Sequence, residues 1–468
     1  MTTTVVRDGI IWTGGASPQV HARRDLVIEN GTVAAIEPKF RGRADVEIDA
    51  GGCLVVPGLI NAHVHAGCSP QVRGLTEDAP IPKSGAYYHA LGSVLTMGYQ
   101  QLARDEFAAL MEWDCIAMLA GGATTIVEEN FGGHDIWIEL VDKLGFRSDL
   151  GLTYPNSVSS IGYIKNGKIV MGDPGDIGAM FQAGLKLHAT HNGKFGDRLR
   201  IHLSPHGPDT VPEDILRETR KACERLGVNA NMHLAQHLDE RNTIARKSGG
   251  KTSVEYLHDL GFLGPHVMGM HVTFVEKDDI RILALTQTNV AHGSYRKAKE
   301  ALISPFWDFI AGGVNVAIAT DSFSHDMIQD LRFAAMLGKI RNNDVGLPAA
   351  NHVLSCATAG AAKALRRPDL GHIGVGARGD VVVIDLGSPF NSPVYDPLRA
   401  LVYYSSARDI RWTLVDGKPV TKNGQVLGTD MDAVRQRAHA AAERLWLLAE
   451  TEGLLPKDRF HHDQGHGH

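Results

Sequence analysis

The chain has 468 residues, 43% hydrophobic and 21% charged, with a formal net charge of −6. That length supports one large core with a smaller unit beside it, and the mildly acidic balance argues against a nucleic-acid partner. No run approaches about 18 consecutive apolar residues, so no membrane helix is expected. Five scattered cysteines (Cys53, Cys68, Cys115, Cys223, Cys356) show no CxxC pair, and the opening MTTTVVRDGIIW lacks a basic stretch before a long apolar one. Both features lead to the expectation of a cytoplasmic protein without a signal peptide.

Residues 1–56 alternate short β-branched runs with glycine turns, and Asn30-Gly31 between two such runs predicts a tight hairpin. Leu54–Ile60 is a short apolar run that reads as a buried strand, followed directly by Asn61-Ala62-His63-Val64-His65. Side chains alternate along a strand, so His63 and His65 project from one face and deliver two imidazoles to one point. Such a pair suits a transition metal. Phe107, Leu110, Met111, Cys115 and Met118 recur at helical spacing and read as core. Thr124–Val127 reads as a strand that leads into Glu128 and Glu129.

Arg200–Gly207 is a further strand candidate, and Pro212 opens a helix running toward Leu226. The run Gly227–Ala230 leads into His233 and Gln236, Gly269–Val272 carries His271, and Val314–Thr320 ends on Asp321. Strand runs alternating with helical patterns over about 300 residues fit a (β/α)8 TIM-like barrel, whose active site lies at the carboxyl ends of the strands. β-rich texture returns at Gly379–Ile384 and Trp412–Val420. Neither β-rich end buries a core alone. Residues 1–56 with 370–425 are therefore expected to form a composite β-sandwich domain beside a 57–369 barrel. Residues 426–468 are expected to form a C-terminal helix and a disordered tail containing His461, His462 and DQGHGH.

Taken together, PGLINAHVH (57–65), GGATTIVEE (121–129), SPHGPDT (204–210), HLAQ (233–236), MHV (270–272), AIATDS (317–322) and IGVGARGDVVVIDL (373–386) resemble the amidohydrolase superfamily. The best match within it is the branch of cytosine deaminases, adenosylhomocysteine deaminases and triazine hydrolases. The resemblance implies one divalent metal ion per chain, zinc by default, held by His63, His65, His233 and Asp321. The same donors accept cobalt, manganese or iron. A metal so held lowers the pKa of a water toward ~7, and Asp321 can take the water's proton and pass it to the leaving group. His271 either ligates the metal or polarises the substrate; both roles stay open. Binuclear relatives carry a bridging carboxylated lysine, Glu or Cys at strand three or four; the strand-four candidate Arg200–Gly207 lacks lysine, which favours a mononuclear site. His206 matches a substrate-contacting histidine, and Glu128 is a further substrate-side candidate.

Gln236 departs from the pattern. Ring deaminases of this branch carry a glutamate there, which protonates a ring nitrogen, whereas an amide delivers no proton. Carbonyl attack needs no such acid, so Gln236 favours hydrolysis of a carbonyl C–N or C–S bond in a neutral amide, urea or (thio)carbamate. In this the chain looks similar to the branch's phenylurea and thiocarbamate hydrolases. The alternative is a heteroaromatic ring deaminase or dechlorinase whose acid is another residue, such as Glu128 or His206. A non-catalytic barrel is opposed by the complete ligand set. The loop aromatics Tyr87, Tyr88, Phe131, Tyr295, Phe306, Trp307 and Phe323, with Met97, come without paired Arg or Lys and suit a small uncharged substrate. Relatives of this size lead to the expectation of a homo-oligomer.

Overall fold

The computed structural model describes residues 2–75, 86–155, 163–165, 168–170 and 172–455, with residues 86–91 and the two short segments as backbone only. The side chains of Tyr87 and Tyr88 and the histidine-rich tail lie outside the described residues.

The amino-terminal strands are β1 (Thr3–Trp12), β2 (Val20–Glu29), β3 (Thr32–Glu37), β4 (Val46–Asp49) and β5 (Cys53–Pro57). The hairpin lies where Asn30-Gly31 places it: Glu29 pairs with Thr32, and the two linking residues take φ of +49° and +85°. Positive φ at both central positions is what that turn demands, and Asn and Gly tolerate it best.

The chain then crosses into a barrel at Gly58. A Cβ there would lie 2.1 Å from Thr124 Oγ1, so only glycine permits the approach. The barrel strands begin with β6 (Leu59–Val64), β7 (Ala123–Asn130) and β8 (Arg147–Tyr154). A short hairpin, β9 (Tyr163–Lys165) and β10 (Lys168–Val170), intervenes. The barrel continues with β11 (Leu199–Pro205), β12 (Ala230–Leu234), β13 (Val267–His271), β14 (Asn289–His292) and β15 (Val316–Ile318). These eight strands pair in parallel from β6 to β15 in chain order. The last seam closes through other contacts. The Asp321 N–H donates to the His63 carbonyl at 3.0 Å, and Asn61 takes the Thr320 N–H at 3.0 Å while donating to Thr320 Oγ1 at 2.7 Å. Helices between the strands cover the barrel, and the Arg104–Ala120 helix buries the expected apolar stripe.

The chain ends add β16 (Val381–Asp385), β17 (Ile410–Val415), β18 (Lys418–Lys422) and β19 (Gln425–Val426). They join β1–β5 through the antiparallel pairing of β16 with β5. The result is the expected small composite β domain built from both chain ends, a nine-stranded mixed sheet with its own apolar core. The ladder runs unbroken from β5 to β16, so the two ends merge edge to edge. Arg147 at the start of β8 ties this sheet to the barrel. It is 1% exposed and reaches Asp380 at 3.0 Å and Asp416 at 2.8 Å. The helix Met431–Thr451 follows the last strand. No described helix is long and apolar enough to cross a membrane.

Two boundaries differ from expectation. The fifth barrel strand starts at Ala230, because Gly227 adopts a positive φ that ends the preceding helix. The eighth spans only Val316–Ile318, which leaves Asp321 on the turn beyond it at φ +57°.

Candidate active site

Carboxyl-terminal strand ends bring the expected histidines and Asp321 together. His63 lies in the last turn-side residues of β6 and His65 just past it, His233 lies in β12, and His271 closes β13. All five side chains, Asp321 included, are buried. Their donor atoms fall into two overlapping triads, His63–His233–His271 and His63–His65–Asp321, each within 4.8 Å. His63 is common to both.

The hydrogen bonds around the rings set their tautomers. His65 Nδ1 meets the Glu129 main-chain carbonyl, and His233 Nδ1 lies 3.2 Å from the His206 carbonyl. A carbonyl only accepts, so each Nδ1 carries the proton and each Nε2 presents a lone pair. Those two Nε2 atoms lie 3.3 Å apart. Both nitrogens of His63 are buried without a hydrogen-bond partner among the described residues, with Nδ1 3.6 Å from Glu129 Oε2. Facing lone pairs, a buried imidazole and a nearby carboxylate suit a divalent cation, which these side chains could hold. Glu129 also lies 3.7 Å from His202 Nε2. It therefore holds the position of a carboxylate that orients a ligating imidazole.

Burial is the largest influence on these rings. Burial, followed by the charge of His63, lowers His65 to about 4, and burial lowers His206 to about 3. Burial places His233 and His271 well below the ordinary histidine value. His63, common to both triads, moves the other way: burial opposes its protonation, but Glu129 and Asp321 outweigh it and raise it above the ordinary histidine value. Burial opposes ionisation of Asp321, but Arg296, His63 and His65 outweigh it and hold the carboxyl below the usual range.

The remaining expected residues divide. Gln236 is 2% exposed, its N–H donates to Glu240 Oε2 at 2.9 Å, and its Nε2 has no hydrogen-bond partner among the described residues. The His206 ring lies 4.7 Å from that of His233 and its Nδ1 is 2.9 Å from Thr210 Oγ1. Glu128 is fully buried, and both its oxygens accept the Ala66 N–H, at 3.2 and 3.0 Å. It braces the turn after His65. Among the aromatics, Phe131 stacks on His65 at 5.9 Å, whereas Trp307 packs on His352 and Tyr295 on Phe333.

The expectation of a site without paired cations is overturned. Arg296 and Lys297, in the short helix Ser294–Lys299 after β14, are 3% exposed each. Arg296 Nε lies 2.6 Å from Asp321 Oδ2, and Lys297 Nζ donates to the Gln236 main-chain carbonyl at 3.0 Å. Both also pair with Glu300. Their signal in the sequence is two consecutive basic residues shortly after His292. The four-residue strand before them is too short to stand out by periodicity.

Residues 54–420 match the model of the amidohydrolase family, and the chain belongs to that family. It is 30% identical over 426 residues to a 5′-deoxyadenosine deaminase of Methanosarcina acetivorans, covering 90% of this chain and 93% of that one. Among solved structures it is similar to an adenosine deaminase from Xanthomonas campestris with bound zinc, with a TM-score of 0.80, 22% identity and 95% and 99% of the two chains covered. It is also similar to an atrazine chlorohydrolase from Arthrobacter aurescens complexed with zinc, with a TM-score of 0.81, 21% identity and 94% and 100% covered. The chain is thus an amidohydrolase-family enzyme acting on C–N bonds, built as a parallel eight-stranded barrel beside a mixed sheet.

Proposed function

We propose that this chain is a metal-dependent deaminase of an adenosine-like N-heteroaromatic substrate, replacing a ring amino group by oxygen from water. The observation that carries the reading is the 30% identity to a 5′-deoxyadenosine deaminase across nine-tenths of the chain. It reverses the order of preference that Gln236 alone suggests.

His63, His65, His233 and Asp321 would hold the metal, with His271 within reach of the same point. Zinc, as in the two solved relatives, is the first choice. Bound there, a divalent cation supplies Lewis acidity and a nucleophilic water near neutral pH. Asp321 takes the attacking water's proton and returns it to the leaving amine. Arg296 orients that carboxylate through Oδ2. Gln236 offers its unpartnered Nε2–H₂ as a hydrogen-bond donor to a ring nitrogen. Phe131 supplies an apolar surface beside His65.

A second reading, hydrolysis of a neutral amide, urea or (thio)carbamate, is favoured by one observation: the residue at 236 is an amide. A single screen separates the two. Under deamination, 5′-deoxyadenosine, adenosine or an aminotriazine releases ammonia with the loss of the aminopurine absorbance. Release of amine or thiol from phenylureas and thiocarbamates, with no ammonia from any aminated ring, reverses the assignment.

A further inference from the structure

Hydrolysis at an aromatic ring carbon needs a proton on the adjacent ring nitrogen, and Gln236 has none to give. The two alternatives weighed from sequence do not fill the gap. Glu128 is committed to the Ala66 N–H. His206 turns its Nδ1 to Thr210 Oγ1 at 2.9 Å and packs against His233.

A lysine does stand beside this residue. Lys297 is 3% exposed, and its Nζ donates to the Gln236 main-chain carbonyl and to Glu300 Oε2, each at 3.0 Å. That accounts for two of its three N–H groups. The charged and titratable groups around it are Arg296 and Glu300 on its own helix, Glu240 after β12, His271 at the end of β13, His292 at the end of β14 and Asp321 beyond β15. We propose that Lys297 is the acid that protonates the substrate's ring nitrogen in place of a carboxylic acid at position 236. The inference rests on the deaminase reading.

Burial, followed by Arg296, lowers the Lys297 pKa well below that of a solvated lysine, against the pull of Asp321 and Glu240. A lysine so placed yields its proton more readily. The step balances as follows. The water oxygen bonds to the ring carbon, its proton passes to Asp321, and Lys297 protonates the ring nitrogen. As the C–N bond breaks, Asp321 protonates the departing amino group, which leaves as ammonia. The remaining hydroxyl proton returns to Lys297 as the ring carbonyl forms. The ring nitrogen keeps the transferred proton, so one water is consumed and one ammonia released.

The test uses the full-length metal-loaded enzyme with 5′-deoxyadenosine. Lys297→Arg keeps the charge and the partners but holds its proton at all working pH values. The expected result is a kcat loss of at least about 100-fold, the low end of general-acid effects, with KM within about threefold and unchanged metal content. In Lys297→Ala, added methylamine is expected to restore part of the rate. Wild-type kcat is expected to fall on the alkaline side with an ionisation below the usual lysine value of 10.5. If Lys297→Arg keeps more than about a tenth of the rate, Lys297 is only a structural partner of Glu300 and the proposal falls. A wild-type kcat flat to that alkaline limit overturns it without any variant having to fold. If the wild type releases no ammonia from any aminated ring, the deaminase reading falls and takes this one with it.

Discussion

The Nε2 atoms of His65 and His233 face each other across 3.3 Å while both Nδ1 atoms are held by main-chain carbonyls. Two imidazole lone pairs aimed at one another repel unless a cation lies between them. Elemental analysis of the purified protein is therefore expected to find close to one divalent metal per chain. Chelation is expected to abolish activity and lower the melting temperature. Metal at 100 times its Kd stabilises by about 2.7 kcal/mol, enough for a clear shift. His233→Ala is expected to lose the metal. Two ions bridged by a protein side chain would refute the single-metal site.

Asp321→Asn is expected to cost far more in kcat than in substrate binding, because the carboxylate moves a proton only during the reaction. Metal content must be measured alongside, since Asp321 is also a proposed ligand. A metal-loaded variant retaining more than about a tenth of the wild-type rate, a barrier change under about 1.4 kcal/mol, removes Asp321 from proton transfer.

Gln236→Glu separates the two chemistries by sign. In a ring deaminase, a carboxyl at this buried position adds a second proton source, and ammonia release from an aminated ring rises. In a carbonyl hydrolase, the extra buried negative charge assists nothing, and turnover stays level or falls. Paired measurements on one purine nucleoside and one phenylurea decide it.

His292 titrates the fold. Burial, followed by Lys297, lowers it to about 3 from an ordinary 6.5. A depressed histidine contributes stability that is fully present above its unfolded pKa and is lost as pH falls toward the folded one. Stability is thus expected to decline from near pH 6.5 toward pH 3, with His292 contributing a slope of up to about 1.4 kcal/mol per pH unit. His292→Asn is expected to flatten that limb in urea titrations. An unchanged limb assigns it to other buried histidines.

Arg147→Met leaves Asp380 and Asp416 without their buried partner. Breaking a buried ion pair from one side costs about 3–5 kcal/mol, so the urea midpoint is expected to drop while the folded fraction keeps its KM. A shift within about 0.5 kcal/mol would show that the barrel and the sheet hold together without this link.

Much of the site was legible because strand periodicity is a local property. His63 and His65 two apart after an apolar run, His233 and His271 closing later runs, and Asp321 after the last each announce a strand end. The Asn30-Gly31 turn was legible for the same reason, since its backbone demand is met by its own two residues. The pairing that joins the two chain ends was not. Whether β16 adds to β5 or faces it depends on an edge that no short window describes. Glu128 and Glu129 illustrate the limit within one strand. Adjacent residues point to opposite faces, and only the fold shows that Glu128 meets the Ala66 N–H while Glu129 meets His63 and His202.

The sequence by itself determined the barrel and the five metal-side candidates, because chain order and alternation carry that information, while the missing acid at Gln236 emerged only from the resemblance to ring deaminases. The tertiary structure alone decided the electrostatics. Arg296 reaches Asp321 and Lys297 reaches Gln236 only because barrel closure brings β14 between β13 and β15 and folds its following helix over the mouth. Charges distant along the chain become neighbours there, and in a buried site it is spatial distance that sets their interaction.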